Sequence, residues 1–108
     1  MKPNSEESFQ AQVVDLAKRN GWLVHAERPA RKLKRDGSIG WATPIQGHTG
    51  FPDICLARGL RVIWCELKSE KGRVSGAQEN WLFALKRAGQ EVHIWRPSDW
   101  PTILEVLT

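Results

Sequence analysis

Apolar residues first recur at helical spacing, at Phe9, Val13 and Leu16. A helix is predicted over residues 5–19, opened by Ser5 and stopped by Asn20-Gly21. Residues 22–27 then alternate, with Trp22, Val24 and Ala26 on one side and His25 on the other, as in a strand. Periodicity is lost over 28–50, apart from a short stretch at 39–43 that could add a second strand. Two apolar runs follow on either side of Arg58-Gly59-Leu60-Arg61, the pattern of a β-hairpin. Beyond a polar connection at 70–73, Trp81, Leu82, Leu85 and Ala88 form the stripe of a helix over 75–88. Ser75 and Gln78 fit a capping box at its start, with Gly89 just past its end. A strand at 91–95 and a last helix at 100–107, capped by Ser98-Asp99, complete the pattern. One helix joins the hairpin to the final strand, so those two strands should run parallel with a right-handed crossover. The predicted order is αβ(β)ββαβα, a mixed sheet with helices on both faces.

The hairpin determines which side chains meet. With Gly59-Leu60 as a two-residue loop, glycine supplies the positive φ that a type II′ turn needs first. Arg58 then faces Arg61, and counting outward from the turn brings Asp53 opposite Glu66, with Cβ atoms roughly 5 Å apart. A four-residue loop keeps this register, whereas a three-residue loop with a bulge would slip it by one. Facing carboxylates repel one another and call for a cation. Oxygen ligands at this spacing suit a hard divalent ion, Mg²⁺ or Mn²⁺. Lys68 projects from the same face as Glu66. The plainer reading is a carboxylate and lysine paired for solubility at the sheet rim.

Composition narrows the class. The 108 residues suit one domain, able to bury roughly two-thirds of its unfolded surface. The N-terminal MKPNSEES lacks the apolar region of a signal peptide and no run approaches a membrane span, so a cytoplasmic protein is expected. Cys55 and Cys65 would point to opposite faces of the hairpin, so no disulfide between them is expected, and no CxxC spacing occurs. There is no Walker loop, serine nucleophile elbow or His/Cys zinc spacing. The net charge of +4 is compatible with a polyanionic partner. Six Trp and no Tyr point to core packing together with an interface, for which Trp41, Trp81, Trp95 and Trp100 are the candidates.

Pro52-Asp53 followed by Glu66-Leu67-Lys68 resembles the PD-(D/E)XK nuclease signature. The wider text GFPD…ELKSEKGRVSGAQ…WL resembles the VRR-NUC branch of that superfamily, in its small stand-alone form, over most of the chain except about 28–48. The resemblance implies a restriction-endonuclease-like core of order αβββαβα and a metal site on Asp53, Glu66 and the Leu67 backbone carbonyl. It implies a catalytic role for Lys68, with Gln78 beside it. It also implies that a glutamate of the first helix, three residues before an apolar position, joins the metal. Glu6 has that spacing to Phe9, whereas Glu7 is turned away; a first-turn glutamate also has a simpler role at the helix dipole.

Arg28, Arg31, Lys32, Lys34 and Arg35 place five cations within eight residues of the aperiodic segment. Such a run is often only a solvated face, but beside a phosphodiesterase site it is placed to contact DNA phosphates. Lys71 and Arg73 are further candidate DNA contacts. The expected activity is metal-dependent cleavage of DNA, in branched substrates such as Holliday junctions, by a homodimer that supplies two sites. Cleavage of flaps, nicks or linear DNA, and non-catalytic nucleic-acid binding, are the alternatives.

Overall fold

A computed structural model describes residues 6–27, 30–33, 39–42 and 45–108, with only the backbone described in 30–33 and 39–42. Helix α1 (Glu6–Arg19) leads into strand β1 (Leu23–Ala26). Strands β2 (Ala30–Leu33) and β3 (Ile39–Ala42) form a separate antiparallel pair. Strands β4 (Ile54–Arg58) and β5 (Arg61–Leu67), helix α2 (Gly76–Arg87), strand β6 (Glu91–Trp95) and helix α3 (Trp100–Leu107) follow. The main sheet has the order β1-β4-β5-β6, antiparallel except for the parallel pair β5 and β6. This is a mixed α/β fold with a four-stranded mixed sheet flanked by helices.

Local chemistry sets the boundaries. Helix α1 ends where Gly21 takes φ 84°, with Trp22 N–H donating to the Ala17 carbonyl and Gly21 N–H to that of Lys18. Helix α2 ends the same way at Gly89, through Gln90 to Leu85 and Gly89 to Lys86. Both are Schellman closures, which only a left-handed residue after the cap allows cheaply. At the hairpin turn Gly59 has φ 60° and Leu60 does not have a positive φ, as type II′ geometry requires. The register runs from Arg58 opposite Arg61 to Ile54 opposite Cys65, so the facing order read from the sequence holds.

Phe9, Val13 and Ala17 of α1, with Ile103 and Leu107 of α3, bury one sheet face: Ile54, Leu56, Ile63, Cys65, Leu67 and Trp95. Helix α2 lies over the other face and contributes one fully buried apolar residue, Leu82. Trp81 and Leu85 are half-buried and Ala88 is exposed, so the stripe expected to end at Ala88 stops a turn earlier. Ala17 rather than Leu16 is the buried residue in the last turns of α1. Trp95 is in the core, which removes it from the interface candidates; Trp81 and Trp100 are half-buried, and the Trp41 side chain lies outside the described residues.

The two arginines at the turn have separate partners. The Arg58 guanidinium lies 4.4 Å from the Trp22 ring centre and donates to the Asn20 carbonyl at 2.9 Å. Arg61 binds both Glu91 carboxylate oxygens, at 2.8 and 3.2 Å. The opposite end of the sheet, where β5 and β6 reach their carboxyl ends, is where Asp53, Glu66 and Lys68 lie. Among the described residues no helix is long and apolar enough to cross a membrane.

The segment 28–50, expected to be irregular, contains the β2–β3 pair, and the stretch at 39–43 pairs with β2 rather than with the main sheet. Alternation in these four-residue strands is masked by charge, and a small antiparallel pair leaves little periodic signal. Arg31 and Lys32 fall in β2, in register with Trp41 and Gly40. Arg28, Lys34 and Arg35 lie outside the described residues.

Candidate active site

Glu66 is the last polar position of β5, and its side chain is fully buried. Asp53 stands one step beyond the paired residues of β4, and its Oδ2 accepts the Leu67 N–H at 2.8 Å. Burial, then the neighbouring Asp53 carboxylate, then Glu6 push the Glu66 pKa up, to about 9, against the opposing pull of Lys68. Glu66 Oε2 accepts from Gln78 Nε2 at 2.9 Å and lies 3.8 Å from Lys68 Nζ. Glu66 Oε1 is buried and has no hydrogen-bond partner among the described residues. A buried carboxylate oxygen without a protein partner is a position where a water or an ion can complete the bonding.

Gln78 is oriented by the cap of its own helix. Ser75 N–H donates to Gln78 Oε1 at 2.9 Å while Gln78 N–H donates to Ser75 Oγ at 3.1 Å, closing the capping box. The amide oxygen is thereby occupied, and the amide nitrogen must face Glu66. One residue thus starts the helix and holds the carboxylate. The approach of the preceding loop to this helix depends on Gly50. Its φ is 90°, and a Cβ there would lie 2.4 Å from the Ala77 carbonyl carbon and 2.7 Å from Gln78 N. Only glycine lets the backbone before Asp53 press onto the first turn of α2.

Lys68 is nearly buried, and its N–H donates to the Trp95 carbonyl at 3.0 Å, so its backbone continues the β6 pairing. A strand residue directs N–H and C=O toward the same neighbour. The Leu67 N–H points to Asp53, so its carbonyl lies on the Asp53 side as well. Glu6 begins α1 and remains accessible to solvent. Partial burial raises its pKa; Lys68 opposes that shift and Asp53 adds to it, so Glu6 lies within the field of the site. Gln10, one turn on, donates to the Glu27 carbonyl at 3.3 Å. Among the described residues no three His, Cys, Asp or Glu side chains group closely enough to hold an ion by themselves. The carboxylates that this end of the sheet brings together are Asp53 and Glu66. That set fits Mg²⁺ or Mn²⁺, which bind through one or two carboxylates and leave the remaining positions to water and substrate phosphate.

Sequence reasoning missed the clamp behind Lys68. Arg96, just after β6, donates through Nη1 to the carbonyls of Ser69 (2.6 Å), Gly72 (2.7 Å) and Glu70 (3.3 Å). The Glu70 carboxylate in turn accepts from the Ser98 N–H and, at 3.0 Å, from its hydroxyl. Lys71 and Arg73 are exposed on this held turn. Nothing local distinguishes Arg96 in sequence, because its partners are backbone atoms more than twenty residues away. His25 is exposed and 3.5 Å from Glu27. No family model, no curated protein and no solved structure matches this chain.

Proposed function

We propose that this protein is a divalent-metal-dependent DNA endonuclease with a restriction-endonuclease-like PD-(D/E)XK core of the VRR-NUC type. The observation that carries the reading is the buried Glu66 carboxyl beside Asp53, one oxygen without a hydrogen-bond partner among the described residues, with Lys68 and Gln78 at the other. A purely structural rim pair would lie in water and would not need a buried, proton-holding carboxylate.

Asp53, Glu66 and the Leu67 carbonyl would hold Mg²⁺ or Mn²⁺, with Glu6 binding through its water shell. When bound, the ion neutralises a phosphate oxygen and makes water a better nucleophile near neutral pH. Lys68 then has the role of holding the attacking water or donating to the charge that develops on the phosphate. Gln78 holds the Glu66 plane, so that the carboxylate presents Oε1 to the site. Arg28, Arg31, Lys32, Lys34, Arg35, Lys71 and Arg73 are the proposed phosphate contacts.

The proposed substrate is branched DNA such as a Holliday junction. Two opposed incisions need two sites related by a two-fold axis, so the proposed active species is a homodimer. The test is cleavage of a panel of four-way junctions, flaps, nicked and linear duplexes with Mg²⁺ or Mn²⁺. Wild type should cut and be silenced by EDTA, while Asp53→Asn should be inactive and folded. Equal activity of Asp53→Asn and wild type would overturn the site. A monomer mass by light scattering, with and without junction DNA, would move the reading to flaps or nicks. Binding without cleavage under every condition would leave a nucleic-acid-binding module.

A further inference from the structure

Phe51, two residues before Asp53, is 43% exposed although it lies at the mouth of the site. Two perpendicular ring contacts fix it, to Trp64 (centres 5.6 Å apart, 81°) and to Trp81 (4.9 Å, 89°). Those partners are tethered in turn, Trp64 to Gln90 Oε1 at 3.1 Å and Trp81 to the His48 carbonyl at 3.4 Å. Gly50 pins the backbone immediately before the ring against α2. Phe51 is thus a rigid aromatic surface with no aromatic ring of the described residues stacked parallel on it.

A cavity of about 350 Å³ lies alongside, lined by Phe51, Ile45, Pro52, Glu27, Asp53 and Gln78 among others. It runs from Asp53 past the ring, and its size is at the small end of the range for organic ligands. That suits one planar base rather than a base pair. A base is joined to its phosphate through a single sugar, so a phosphate at Asp53 and Glu66 leaves a neighbouring base within reach of a ring two residues away. In continuous duplex that base is stacked and paired, and exposing it costs a few kcal/mol.

We propose that Phe51 is a stacking platform for one unpaired nucleobase next to the phosphate that the ion proposed for Asp53 and Glu66 would hold. The inference rests on the nucleic-acid reading of the site and narrows its substrate to strands whose bases are already splayed at a branch, flap or single-stranded end. Stacking on a π-face tolerates every base, so the site selects DNA structure without reading sequence.

The test uses wild type with Ca²⁺, a divalent ion that can hold the phosphate, and a short single-stranded oligonucleotide carrying 2-aminopurine, whose fluorescence falls on stacking. Wild type and Phe51→Tyr should quench the probe, and Phe51→Leu should not. By anisotropy, Phe51→Leu should bind the single strand about tenfold more weakly and continuous duplex as well as wild type. Circular dichroism checks the fold, with Phe51→Met as the replacement if the leucine variant does not fold. Undiminished quenching by Phe51→Leu, or equal weakening on single strand and duplex, would overturn the proposal. Quenching by wild type without Mg²⁺- or Mn²⁺-dependent cleavage would uphold the platform and defeat the nuclease reading. Cleavage with quenching that ignores residue 51 would do the reverse.

Discussion

Glu66→Gln in metal-free protein should change how stability depends on pH. The wild-type carboxyl is fully buried and its pKa is raised from 4.5 to about 9. A folded pKa above the unfolded one means that the folded state holds the proton more tightly. The associated stability is therefore complete below pH 4.5 and is lost as pH rises through the window up to about 9. Inside that window the slope is about 1.4 kcal/mol per pH unit, so the change from pH 5 to 8 has a ceiling of about 4 kcal/mol. For a domain of this size that corresponds to a fall of roughly 15 °C in Tm. The glutamine variant keeps the volume, can accept from Gln78 and can donate to Asp53, yet cannot ionise. Thermal melts in EDTA at several pH values measure the difference between the two proteins, which isolates the Asp53–Glu66 pair from the distant titrating groups. Wild type should lose stability over this range relative to the variant, and Mg²⁺ should restore part of the loss at pH 8. Parallel pH profiles would refute the claim that Glu66 carries an uncompensated charge when ionised.

Glu6→Gln should reduce metal-dependent cleavage by about tenfold or more while Glu7→Gln leaves it near wild type, since removing one electrostatic contributor at such a site costs on this scale; equal rates for the two would place Glu6 outside the chemistry. Neutralising Arg31, Lys32, Lys34 and Arg35 together should lower the log–log salt slope of duplex binding by roughly 0.9 for each phosphate that is no longer neutralised, and an unchanged slope would make the run a solvated surface. Gly50→Ala should cost about 1–3 kcal/mol in urea unfolding, because the backbone has positive φ and the new methyl overlaps α2. Cleavage should fall with it as Gln78 is displaced; wild-type stability would show that the loop is free to move away.

The parts of the site legible in sequence were those set by local geometry. Glycine at 59 fixes the turn, the turn fixes the register, and the register brings Asp53 to Glu66 within a span of fourteen residues. Gln78 was legible from its own helix as a capping residue, while its place beside the site came from the resemblance; the structure makes the cap and the Glu66 contact with opposite ends of one amide. What escaped depends on packing between distant segments. Trp95 looks like a surplus aromatic until α1 and α3 close over that face. Gln10 reaches Glu27 only because β1 folds back along α1. Phe51 and Arg96 belong to no repeat, and their meaning comes from Trp64, Trp81 and three backbone carbonyls supplied by other elements.

The two ends of the β5 strand differ in how much change of chain length they can absorb. At Gly59-Leu60 the Leu60 side chain is fully exposed and nothing packs within 4 Å of the glycine, so a two-residue insertion, which keeps the facing of Asp53 and Glu66, leaves the rest of the protein undisturbed. At the other end, one guanidinium spans the carbonyls of residues 69, 70 and 72. A single added residue in that turn would shift one of them by about 3.3 Å, more than a hydrogen bond can stretch. Arg96 thus acts as a gauge on the length of the segment that follows Lys68, and insertion libraries should recover variants at the first turn and lose them at the second.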